Sequence, residues 1–60
     1  STPDYVRILL IARGSLFELQ TQLELASSLN LTKPDLRSDI LPICNEIERM
    51  LNSLITKLSR

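Results

Sequence analysis

Apolar side chains recur along the first half of the chain at alternating spacings of four and three: Tyr5, Leu9, Ala12, Leu16, Leu19, Leu23 and Ala26. On an α-helix this spacing stacks them on one face, as in a coiled-coil seam. Nowhere is the two-residue alternation of a strand sustained. A start signal precedes the run: Thr2 can cap, Pro3 suits a first turn where its missing N–H is not needed, and Asp4 faces the positive helix end. The pattern predicts a helix over 3–29. Asn30 and Leu31 form a short connection, and Thr32 is expected to cap a second helix over 33–58, with Asp35 as a weak capping-box partner. There Leu36, Ile40, Ile43, Ile47, Met50 and Leu54 make a second seam, which Cys44, Leu51, Ile55 and Leu58 widen on one side. Lys57 and Arg60 favour the negative helix end. Each helix is expected to span roughly 40 Å at about 1.5 Å per residue. Equal lengths and a tight connection imply antiparallel neighbours.

Two positions interrupt the helical pattern. Gly14 falls mid-helix, at a cost of about 1 kcal/mol relative to Ala. Pro42 removes the hydrogen bond to the Ser38 carbonyl, at about 3 kcal/mol in a regular helix. A kink near Pro42 is expected rather than a break, because Leu41 is a poor cap for a new helix.

The two helices differ in how much apolar surface they carry. The second has a polar side made of Ser38, Asn45, Arg49, Asn52 and Thr56. In the first, ten of the fifteen residues from Tyr5 to Leu19 are apolar. Val6, Leu10 and Phe17 lie away from the main seam, and Ile8 and Ile11 lie on yet another side. A helix that is apolar all round is buried on more than one side, and one partner helix cannot do this. The fold class expected is therefore all-α: an antiparallel hairpin that completes a four-helix bundle by oligomerisation or with further upstream helices.

Composition narrows how such a chain becomes stable. A 60-residue domain buries only about 60% of its unfolded surface and commonly needs disulfides, a metal or oligomerisation. Cys44 is the lone cysteine and histidine is absent, so neither an internal disulfide nor a zinc site of the usual kind can form. Seven basic residues balance seven acidic ones, whereas dedicated nucleic-acid binders carry a basic excess. No apolar run approaches a membrane span, and one free thiol fits a reducing cytoplasm.

Candidate chemistry is sparse. Nucleophile–base arrangements and di-iron bundles both call for histidine. Gly14 alone makes no phosphate loop. Glu18, Glu24, Glu46 and Glu48 read as solvated helix surface, and Cys44 as a small buried hydrophobe rather than a reactive thiol. Neither enzyme activity nor a cofactor is expected. The unusual segment is Ile11-Ala12-Arg13-Gly14-Ser15-Leu16, where a costly glycine stands between a cation and a hydroxyl. Gly14 can admit a close neighbouring helix while Ser15 bonds its own backbone. Alternatively, Arg13 meets a partner's acidic group or phosphate.

That segment, followed by Glu18-Leu19 and Thr21-Gln22-Leu23, resembles the third helix of the bacterial four-helix-bundle family encoded in intervening sequences of large-subunit ribosomal RNA. Arg49-Met50-Leu51-Asn52 and Leu54-Ile55 resemble its fourth. The resemblance runs from about Tyr5 to Leu58. It departs at Pro42, where the family continues a helix, and at Ser53, where the family often has Gly. The resemblance implies a carboxyl-terminal half preceded by two more helices, a bacterial cytoplasmic setting and no enzymatic activity. It also implies kinship with accessory proteins of diversity-generating retroelements, which form ring-shaped oligomers and associate with RNA and a reverse transcriptase. Such RNA association relies on basic surface, and this chain is neutral. The first expectation is thus a homo-oligomeric assembly module, dimer or higher, without a membrane; the second is an RNA- or reverse-transcriptase-associated accessory protein. The candidate packing and interface residues are Leu9, Ala12, Leu16, Leu19 and Leu23 on the first helix and Ile43, Ile47, Met50 and Leu54 on the second. Arg13, Gly14 and Phe17 complete the set.

Overall fold

A computed structural model describes residues 2–59. It contains two helices, α1 (Thr2–Ser28) and α2 (Pro34–Leu58), of 27 and 25 residues, and no strand among the described residues. They lie side by side as a hairpin measuring 43 × 15 × 11 Å. The radius of gyration is 14.0 Å, against about 10 Å for a compact globule of this length. This rod is one helix pair thick.

Both inner helix ends follow from local chemistry. At the end of α1 the Asn30 N–H donates to the Ser27 carbonyl at 3.1 Å and the Leu31 N–H to the Ala26 carbonyl at 2.9 Å. Asn30 has a φ of 58°. These crossed bonds are a Schellman motif, with asparagine in the left-handed position that glycine usually takes. They satisfy carbonyls that the last turn would leave bare. At the other end, Pro34 pushes Lys33 into extended backbone, with φ −64° and ψ 144°. Lys33, not Thr32, is therefore the N-cap, and no side chain caps the helix. Thr2 is itself helical rather than a cap. Arg60 lies outside the described residues.

Small polar side chains fit within the helices by bonding their own backbone. Thr21 Oγ1 donates to the Phe17 carbonyl, Ser28 Oγ to the Glu24 carbonyl and Ser38 Oγ to the Asp35 carbonyl, each at 3.0 Å. This bond was expected at Ser15, and it forms at those three positions instead.

Among the described residues only Leu16, Leu23 and Cys44 are buried. Around them Val6, Leu9 and Ala26 of α1 and Ile40, Leu41, Leu51, Ile55 and Leu58 of α2 are half-buried. This differs from the expected seam on α2. The side formed by Cys44, Leu51, Ile55 and Leu58 packs on α1, while Leu36, Ile43, Ile47, Met50 and Leu54 stay exposed. On α1, Tyr5, Ala12 and Leu19 are likewise outside the contact, and Val6 is inside it. The physical reason is width. Each apolar stripe is broader than one helix can cover, so the pair meets along one edge of each.

α2 is continuous through Pro42, which is exposed. The Ser38 carbonyl that Pro42 leaves without a donor is thus on the solvent side. Pro42→Ala is expected to raise stability by about 1–3 kcal/mol, read as a higher thermal midpoint at fixed protein concentration. A lower midpoint would mean that the proline shapes the helix for packing. The left-handed backbone at Asn30 gives a second expectation. Asn30→Val should cost about 1–2 kcal/mol, whereas Asn30→Gly should unfold no earlier than the native chain.

Candidate interaction surface

The hairpin has two flanks, one on each side of its line of contact. On the first, α1 contributes Leu10, Arg13, Gly14 and Phe17 and α2 contributes Glu48 and Asn52, which together line an open groove of about 540 Å³. The Arg13 guanidinium donates to Asn52 Oδ1 at 2.9 Å, tying the helices across 39 residues of sequence. Leu10 is 42% exposed and Phe17 68%. A Cβ placed on Gly14 would meet nothing within 4 Å. The close helix approach expected at Gly14 is therefore not made by α2; the space above it is open.

Nearer the turn, Arg37 Nη2 donates to Glu24 Oε1 at 2.6 Å. The hydrogen bond to Glu24, then the carboxylate's charge, raises the Arg37 pKa above its ordinary value. Both side chains are close to half exposed, so the pair adds little net stability and mainly fixes register.

On the second flank the chain is apolar. The α1 edge bearing Ile8, Ala12 and Leu19 adjoins, in an antiparallel pair, the α2 edge bearing Ile43, Ile47, Met50 and Leu54. Their exposures run from 40% at Ile47 to 60% at Met50 among the large side chains. Glu46, Arg49 and Lys57 line a shared pocket with Met50 and Leu54 at the border of this face. Part of each stripe that sequence periodicity assigned to the interior therefore faces outward, while Leu9, Leu16, Leu23, Ala26 and Ile40 stay in the hairpin contact.

The expected residues thus divide three ways. Leu16 and Leu23 are buried and Leu9 half-buried in the hairpin contact. Ala12, Leu19, Ile43, Ile47, Met50 and Leu54 share the apolar flank. Arg13, Gly14 and Phe17 share the groove. Sequence reasoning missed Leu10, Glu48 and Asn52 as groove partners. It had placed Asn52 on the polar side of the second helix. Counting outward from the turn at 29–33 brings Asn52 near Arg13, and that register is the signal that finds it. Glu48 and Arg13 line the open groove, and Cys44 is 2% exposed between the helices. Among the described residues no three potential metal ligands cluster, and no helix is long and apolar enough to cross a membrane.

The Arg13–Asn52 bond joins the two segments that carry the family resemblance, Ala12-Arg13-Gly14-Ser15-Leu16 and Arg49-Met50-Leu51-Asn52. A family model described as 23S rRNA-intervening sequence protein matches residues 1–53, which include both segments. No curated protein and no solved structure matches the chain. With the match spanning most of its length, the chain belongs to the 23S rRNA-intervening sequence protein family.

Proposed function

We propose that this protein is a non-enzymatic helical assembly module whose apolar flank is closed by the same flank of a second copy, giving a four-helix bundle. The observation that carries the reading is the imbalance of apolar burial. Among the described residues three hydrophobic side chains are buried while fourteen large ones are exposed. Soluble monomers rarely leave contiguous apolar patches of that kind open. The accessible surface is 4787 Å² for a mass of 6.8 kDa, whereas a compact monomer of that mass exposes about 4,000 Å². The surplus, about 800 Å² per chain, is what one partner loses in a standard protein interface. A second hairpin supplies a matching two-helix layer, so Ile43, Ile47, Met50 and Leu54 meet like with like across a two-fold axis.

The runner-up reading is an accessory role with RNA or a reverse transcriptase, as the resemblance implies for relatives. A formal charge of zero gives little drive toward phosphate. The two readings respond oppositely to salt. Apolar assembly persists as ionic strength rises, while phosphate binding weakens steeply.

The expected outcome is at least a dimer in sedimentation equilibrium at micromolar concentration, with Ile47→Glu shifting the chain toward monomer. A native chain that is folded by circular dichroism and monomeric throughout overturns the reading.

A further inference from the structure

We draw no further inference here: the strongest candidate, the open groove lined by Leu10, Arg13, Gly14 and Phe17 of α1 and by Glu48 and Asn52 of α2, carries none, because nothing in the structure shows what covers it.

Discussion

Two helices can share only one line of contact, and in this molecule every other feature adjusts to that limit. A helix covers roughly a third of its neighbour's circumference, so a stripe much wider than a coiled-coil seam outruns any single partner. α1 carries apolar residues on nearly all sides between Tyr5 and Leu19, and α2 carries a stripe running from Leu36 past Cys44 to Leu51. The pair meets along one edge of each stripe. Cys44, 2% exposed, lies on that line with Leu16 and Leu23. The wider residues, Ile43, Ile47 and Met50, are left outside it. The surface available for assembly is what remains after the hairpin has closed.

The polar interactions divide the labour differently. Glu24–Arg37 and Arg13–Asn52 both cross between helices on exposed surface, where net contributions are small. Their use is in register. A shift of one residue would carry Arg13 around the helix by about 100° and lose Asn52. The turn sets the same register independently, because the Schellman bonds at Asn30 and the extended Lys33 before Pro34 leave little freedom between the helices. Local turn chemistry and long-range polar ties agree, which is the consistency expected of a chain that specifies one arrangement.

Much of this was legible from spacing. The four-and-three recurrence from Leu9 to Leu23 reports helix one, and the matching run from Leu36 to Leu54 reports helix two. Boundaries were less legible. Thr32 has the chemistry of a cap, but the proline two residues on moves the boundary to Lys33, since backbone restriction before proline outweighs a side-chain preference. Asn30 could have been read as a left-handed cap only with the knowledge that no glycine ends α1. The choice of edge on α2 was hidden for a different reason. Periodicity finds an apolar face but not which part of it meets the first partner, and a stripe ten residues rich satisfies two partners equally well. Gly14 illustrates the same gap. Its type announces a special place, while the absence of anything above it is visible only in three dimensions.

Family membership and physical reading meet at Arg13 and Asn52, and they differ in what they explain. The match over residues 1–53 places the chain in a family named for where its genes lie, which carries no chemistry. The chemistry comes from the surfaces. The described residues include many large apolar side chains that face water. Under the proposed assembly reading, these water-facing apolar side chains make the isolated hairpin an intermediate rather than an end point. Leu16, Leu23 and Cys44 make a small core for 60 residues, and domains of this size commonly draw further stability from disulfides, metals or oligomerisation. Under the same assembly reading, folding and association of this chain are one process, and its stability rises with concentration as in an obligate oligomer.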